Sequence, residues 1–319
     1  MPARLTLVMV VALLGLCVPA YSQQVAPAAP SGPVVSLNLI VVDSNDHSLD
    51  VVKNDDIRVV ENKVEQTVIS ITRDERPIDI IIAIDATGSF RDLLPYATAA
   101  AKLVIEQRRP TDEVGLLRFV SSDKIDMVQE FSTDNATLIK SLSLFRPQGG
   151  QSAVVDAIYV AVDHLAKHKT QEHRRKALII FTDGEERNSY YKQDDLLKLL
   201  QEKGVQIFPL GITINLDESS GFLRASPKDR AEKFLKTIAS ESGGRALFSK
   251  TPRDLGNATE EAMRSLQRSF LLTFRSADIT DKKGFRKVEV KTAPGVKQKA
   301  IAPQGYFFTT APDISKTQH

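Results

Sequence analysis

The sequence predicts an α/β protein with a doubly wound, mostly parallel six-stranded sheet of the Rossmann-like kind. A small discontinuous β-sheet or sandwich, formed by the flanking segments, accompanies it. Three observations predict this architecture. Apolar runs of strand length alternate with helical stretches between residues 77 and 267, and short β-like runs precede and follow that region. Polar turns rich in carboxylates and hydroxyls come directly after two of the apolar runs. Alternating strands and helices are typical of right-handed crossovers in a parallel sheet.

The first 22 residues have the three parts of a secretory signal. Arg4 supplies the positive charge, residues 5–18 are apolar, and Ala20 and Ser22 supply small residues at the cleavage site. We predict cleavage after Ser22 and an exported protein, in the periplasm or outside the cell. The apolar stretch is shorter than the roughly 18–20 residues that a spanning helix needs, so no integral membrane segment is expected after cleavage.

Composition narrows the classes of function. The single cysteine, Cys17, lies in the predicted signal, which leaves no thiol for disulfides, nucleophilic catalysis or thiolate zinc sites. A formal net charge of +2 gives no strong field to attract nucleic acid, so no nucleic acid is expected as a partner. The composition does not indicate an oligomeric state.

The segments on either side of the central region consist of β-like runs. Residues 23–33 are rich in proline and small residues, which predicts a disordered linker. We expect the segments 34–76 and 268–310 to pair into one module, because neither holds enough strands to bury a face alone. Residues 311–319 form the tail. The β-like runs lie at 35–42, 57–61, 66–72, 269–274, 287–291 and 306–310.

The central region, residues 77–267, contains the elements of the parallel sheet. Apolar runs of strand length and longer amphipathic stretches alternate regularly through it. The predicted strands are 79–84, 114–119, 127–131, 176–182, 205–210 and 245–248. The predicted helices are 93–107, 136–144, 153–167, 194–203, 228–240 and 254–267.

Oxygen-bearing side chains follow two of the predicted strands. Asp85, Thr87 and Ser89 alternate directly after the first strand, and Asp183 follows the fourth. The carboxyl ends of neighbouring strands in an open parallel sheet meet in one crevice, where ligands bind. A third turn, ending in Ser152 before the third predicted helix, can close this crevice. The pattern predicts one site built from distant segments.

The donor types predict a hard cation at this site. Carboxylate and hydroxyl oxygens suit magnesium, and the turns contain neither thiolate nor histidine for zinc. Manganese and calcium are the alternatives. Because the hydroxyls are neutral, two carboxylates leave a divalent ion able to accept a further acidic group. The expected partner is therefore a protein that presents a carboxylate.

These residues resemble the metal-ion-dependent adhesion site of von Willebrand factor type A (VWFA) domains. The resemblance covers about residues 77–266 and rests on the turn from Asp85, the segment from Gly150 to Asp156, and the strand end at Asp183. It implies that five residues ligate the metal, namely Asp85, Thr87, Ser89, Ser152 and Asp183. Thr87 stands where serine is usual and Ser152 where threonine is usual, but both keep the hydroxyl. The flanking segments are similar to a secreted bacterial VWFA-related group.

The expected function is that of an exported, non-enzymatic binding or adhesion protein. Two alternatives remain open: a structural envelope component that the metal stabilises, and a metal-dependent hydrolase, for which the sequence supplies no evident general base. His164 and His168 are four residues apart on a predicted helix, which could suggest a zinc face. The basic residues around them argue against zinc, so zinc hydrolysis is not expected.

Overall fold

The structure is a computed structural model that describes residues 32–168, 173–217, 219, 225–280 and 282–309. The predicted signal peptide, the linker up to residue 31 and the tail from residue 311 lie outside the described residues. Among the helices that are described, none combines the length and the apolar character needed to cross a bilayer.

Thirteen strands and six α-helices form in the described part of the chain. The strands are β1 (Val34–Val42), β2 (Ile57–Glu61), β3 (Val64–Arg73), β4 (Ile78–Asp85), β5 (Glu113–Ser121), β6 (Lys124–Ser132), β7 (Arg175–Thr182), β8 (Gln206–Gly211), β9 (Leu247–Phe248), β10 (Phe270–Arg275), β11 (Gly284–Thr292), β12 (Lys299–Ile301) and β13 (Gly305–Phe308). The helices are α1 (Leu94–Gln107), α2 (Asn135–Leu142), α3 (Val154–Lys167), α4 (Gln193–Lys203), α5 (Pro227–Ser242) and α6 (Leu255–Gln267).

The six-stranded sheet has the order β6-β5-β4-β7-β8-β9 and is parallel except for the edge strand β6. This confirms the predicted doubly wound α/β fold. All eight residues of β4 are buried, because helices cover both faces of the sheet. Ile80, Ile82 and Ile84 pack with α1 and α6, whereas Ile81 and Ala83 pack with α3 and α4. The central strand therefore carries its last residue, Asp85, to the edge of a rigid layer.

The second sheet is antiparallel, with the order β12-β1-β10-β3-β2-β11-β13. Strands β1 to β3 come from the segment before the α/β region and β10 to β13 from the segment after it, so the two flanks form one sheet as predicted. Its core includes Leu39, Val59, Leu272 and Phe274. Strand β12 was not predicted, because its three residues are too short for any alternation to be recognised.

A buried ion pair within the α/β region, between Arg245 and Glu261 of α6, bonds to the turn after β1 of the second sheet. Arg245 donates hydrogen bonds to Glu261 Oε1 (2.9 Å), to Ser265 Oγ (2.6 Å) and to the carbonyl oxygen of Asp46 (2.7 Å). Ser48 donates to Glu261 Oε1 from both its backbone nitrogen and its hydroxyl. Burial acts to raise the pKa of Glu261, but hydrogen bonds from Arg245, Arg264 and Ser48 outweigh it and hold that pKa below its usual value. The turn after β1 is thereby fixed to α6.

Candidate metal centre

Asp85 organises the first turn of the candidate site. Its carboxylate is fully buried at the end of β4. Asp85 Oδ1 accepts hydrogen bonds from the backbone nitrogen of Thr87 (3.0 Å) and from Thr87 Oγ1 (2.7 Å). Thr87 Oγ1 lies 3.1 Å from Ser89 Oγ. The turn therefore holds the carboxylate and both hydroxyls in one group.

Parallel pairing of β4 with β7 brings the second strand end to the same place. Ile84 is opposite Phe181, so Asp85 is level with Thr182. Asp85 Oδ2 accepts hydrogen bonds from Thr182 Oγ1 (3.1 Å) and from Ser152 Oγ (3.2 Å). Thr182 was not among the predicted site residues. Only the strand register, which the sequence does not specify, reveals that it faces Asp85.

Asp183 is almost fully buried, and the turn that follows it is tightly packed. Asp183 Oδ1 accepts a hydrogen bond from the backbone nitrogen of Glu185 (2.9 Å). Gly184 has φ +76°, and a Cβ there would lie 2.8 Å from a methyl of Leu235. Glycine adopts this left-handed conformation without strain, and it lacks the Cβ for which there is no room here.

The electrostatics of the site favour a cation. Burial and the negative charge of Asp85 raise the pKa of Asp183 to about 7. Burial also raises the pKa of Asp85, although hydrogen bonds from Thr87, Thr182 and Ser152 act in the opposite direction. Two buried carboxylates that repel each other destabilise the folded state unless a positive charge compensates them. Since the neighbouring donors are all oxygens, the arrangement fits a hard divalent ion.

The hydroxyl of Ser152 is held just before the first turn of α3. Gly150 precedes it, and a Cβ at that position would lie 2.5 Å from Cγ1 of Val120. The carbonyl oxygen of Ser152 accepts hydrogen bonds from the backbone nitrogens of Arg187 (3.0 Å) and Asn188 (3.3 Å). The turns that carry Ser152 and Asp183 are thus bonded directly to each other.

Two further carboxylates, those of Glu186 and Asp156, tie the loop after β7 to α3. Glu186 Oε2 accepts a hydrogen bond from the backbone nitrogen of Val155 (2.9 Å). Asp156 accepts from the backbone nitrogens of Tyr190 (2.7 Å) and Tyr191 (2.8 Å). Sequence reasoning did not find these two roles, because they depend on contacts between distant segments.

We expect Asp156→Asn to weaken magnesium binding by about tenfold, because residues that orient a metal site typically contribute this much to affinity. Asparagine has an NH2 donor in place of one carboxylate oxygen, so it cannot accept both backbone hydrogen bonds. The loop that follows Asp183 is expected to loosen as a result. Calorimetric titration with magnesium measures the effect. Asp163→Asn is the control, since Asp163 lies on the same helix and pairs with Lys167 at the surface. Equal affinities in the two variants would contradict the role of Asp156.

The site opens to solvent. Gly88, Ser89, Gly150 and Gln151 are exposed around the buried carboxylates. A group from another molecule can therefore approach the hydroxyls from outside, while the carboxylates remain fixed within the protein.

Comparison with known proteins gives the following matches. Residues 79–261 match the family model of the von Willebrand factor type A domain. No curated protein matches the chain. Among solved structures, an aerotolerance-related membrane protein from Bacteroides fragilis is similar at 19% identity and a TM-score of 0.47, covering 60% of this chain and 99% of that one. Protein BatB from Bacteroides thetaiotaomicron is similar at 18% identity and a TM-score of 0.46, with the same coverage of 60% and 99%. Proximal thread matrix protein 1 from the mussel byssus is similar at 17% identity and a TM-score of 0.48, covering 65% and 51%.

Proposed function

The chain belongs to the von Willebrand factor type A domain family, and we propose that it is an exported, non-enzymatic binding protein. Its metal centre would engage a carboxylate on a protein partner. One observation carries this proposal: Asp85 gathers the hydroxyls of Thr87, Ser152 and Thr182 at the exposed end of the sheet, with Asp183 directly beside it. Export is inferred from the signal-like composition of residues 1–22.

The charge balance supports binding of an acidic group. The residues that would hold magnesium are Asp85, Thr87, Ser89, Ser152 and Asp183. The ion would supply a coordination position for an oxygen ligand from another molecule. The two carboxylates offset the charge of a divalent ion, and the hydroxyls add no charge. A partner's carboxylate would be a favourable further oxygen ligand, since magnesium prefers hard oxygen donors.

The geometry favours binding over catalysis. The three turns that form the site contain no histidine, and the hydroxyls of Thr87, Ser152 and Thr182 all donate to the one carboxylate of Asp85. A hydrolase needs a group that takes a proton from water near the ion. Glu186 is engaged with the backbone of α3 and with Ser189, so it serves the loop instead.

A pull-down from extracts of the host envelope tests the proposed function. The wild-type chain is expected to retain a partner in magnesium and to release it when a chelator is added. Asp85→Ala should retain nothing, whereas Asp163→Ala, a surface variant of the same charge change, should behave as wild type. Partner binding that survives both the chelator and Asp85→Ala would contradict the proposal. Metal-dependent stability without a metal-dependent partner would favour a structural role.

A further inference from the structure

A second group of ionisable side chains lies at the opposite end of the six-stranded sheet. Asp79, near the start of β4, is paired in register with Glu113 on β5 and with Lys176 on β7. Residues in register on adjacent strands point to the same face, and here this is the face that α3 covers. Because Asp79 precedes Asp85 by six residues, the two ends of β4 are separated by about 20 Å.

His168 completes this group from the end of α3. Its backbone nitrogen donates to the carbonyl oxygen of His164 (3.0 Å), and its Nε2 lies 3.1 Å from Glu113 Oε2. The imidazole stacks on Phe131, with the ring centroids 3.9 Å apart. One potential ligand atom from each of Asp79, Glu113 and His168 lies within 4.8 Å of the other two.

The carboxylate of Asp79 is incompletely satisfied. Its side chain is fully buried, and Oδ1 accepts a hydrogen bond from Arg174 Nε (2.5 Å). Oδ2 is also buried but has no hydrogen-bond partner among the described residues. Buried polar atoms are normally hydrogen-bonded, and a buried carboxylate oxygen without a hydrogen bond lowers the stability of the fold. This oxygen belongs to the same carboxylate that approaches Glu113 and His168.

Two basic side chains lie beside this group, and one of them, Arg174, forms an ion pair with Asp79 itself. Arg174 bonds to Oδ1 of Asp79 and to the carbonyl oxygen of Thr111 (2.9 Å). Lys176 Nζ donates to the carbonyl oxygen of Ala166 (3.2 Å) at the end of α3. None of these hydrogen bonds uses Asp79 Oδ2 or the imidazole of His168.

We propose that Asp79, Glu113 and His168 form a second divalent-cation site, suited to zinc and similar transition metals. One imidazole nitrogen with two carboxylate oxygens is a donor set typical of such ions, unlike the all-oxygen set around Asp85. Bonds of about 2.0–2.2 Å place tetrahedral ligand atoms about 3.3–3.6 Å apart. His168 Nε2 and Glu113 Oε2 are already 3.1 Å apart, and Glu113 is partly exposed, so its side chain can adjust to hold an ion together with Asp79.

The two sites would then lie at opposite ends of one helix. Helix α3 begins at Val154, directly after the turn of Ser152, and His168 follows its last residue, Lys167. An ion held by His168 would fix the end of α3 to the starts of β4 and β5. The site is proposed as a structural cation site, independent of the partner-binding centre.

Zinc titration of the full chain by calorimetry tests this site. All samples carry Cys17→Ser, so that the single thiol does not bind zinc. We expect His168→Asn to weaken zinc binding at least tenfold. The matched control is His164→Asn, because His164 lies one turn earlier, also stacks on Phe131 and also pairs with a glutamate, Glu130, but has no contact with Asp79 in the structure. The control is expected to bind zinc as the parent chain does.

Two further measurements keep the test decisive. Glu113→Gln should also weaken zinc binding, and it replaces His168→Asn if that variant fails to fold. Cobalt should produce visible absorption bands in the parent chain and in Asp85→Ala, but not in His168→Asn. Zinc affinity that is unchanged in both His168→Asn and Glu113→Gln would overturn the proposal. Loss of zinc binding in Asp85→Ala alone would instead assign the zinc to the first site.

Discussion

Magnesium is expected to raise the melting temperature of the wild-type protein by about 5–10 °C and to leave that of Asp85→Ala unchanged. A ligand at a hundred times its dissociation constant stabilises the folded state by about 2.7 kcal/mol. In a domain of this size, about 1 kcal/mol corresponds to a shift of about 2–4 °C. Differential scanning calorimetry with and without magnesium measures the shift.

Asp85 is the decisive residue because it bonds to the other parts of the site. Its two oxygens accept hydrogen bonds from the hydroxyls of Thr87, Ser152 and Thr182. Alanine removes the carboxylate that would ligate the cation and, with it, the common partner of these hydroxyls. Asp163→Ala is the control for loss of one carboxylate and should show the wild-type shift. An undiminished magnesium shift in Asp85→Ala would place the cation elsewhere.

Arg245→Ala is expected to lower the free energy of unfolding by about 3–5 kcal/mol, as is typical when one partner of a buried ion pair is removed. Arg245 is only 8% exposed and Glu261 only 7%. Without the guanidinium, the carboxylate of Glu261 stays buried without its main partner, and the turn after β1 loses its attachment to α6. Urea unfolding monitored by circular dichroism measures the change.

Arg264→Ala is the matched control for this variant. Arg264 Nε contacts the other oxygen of Glu261 at 3.0 Å, but its side chain is 43% exposed. Exposed ion pairs contribute roughly 0–1 kcal/mol, so the control should cost no more than that. Replacing Arg245 and Glu261 together with methionine should recover part of the loss, because no unpaired buried charge then remains. Equal destabilisation by Arg245→Ala and Arg264→Ala would show that the buried pair does not fix the turn after β1 to α6.

Much of the fold could be predicted because its signals are local. The apolar run predicted at 79–84 is strand β4, Ile78–Asp85, and the helix predicted at 153–167 is α3, Val154–Lys167. Fully buried parallel strands require continuous apolar runs, and surface helices require one apolar face, so both leave patterns within a few residues. Strand β12 leaves no such pattern, since its three residues are defined by pairing with β1.

The candidate site, like the fold, could be predicted only in part. The turn of Asp85, Thr87 and Ser89 and the strand-ending Asp183 can be read from the sequence, because closely spaced oxygen donors after an apolar run are a local signal. The folded chain alone reveals that Thr182 faces Asp85, that Asp156 and Glu186 secure the loop, and that His168 lies beside Asp79 and Glu113. These contacts depend on strand register and on helix placement, which burial of the whole core determines and no short segment specifies.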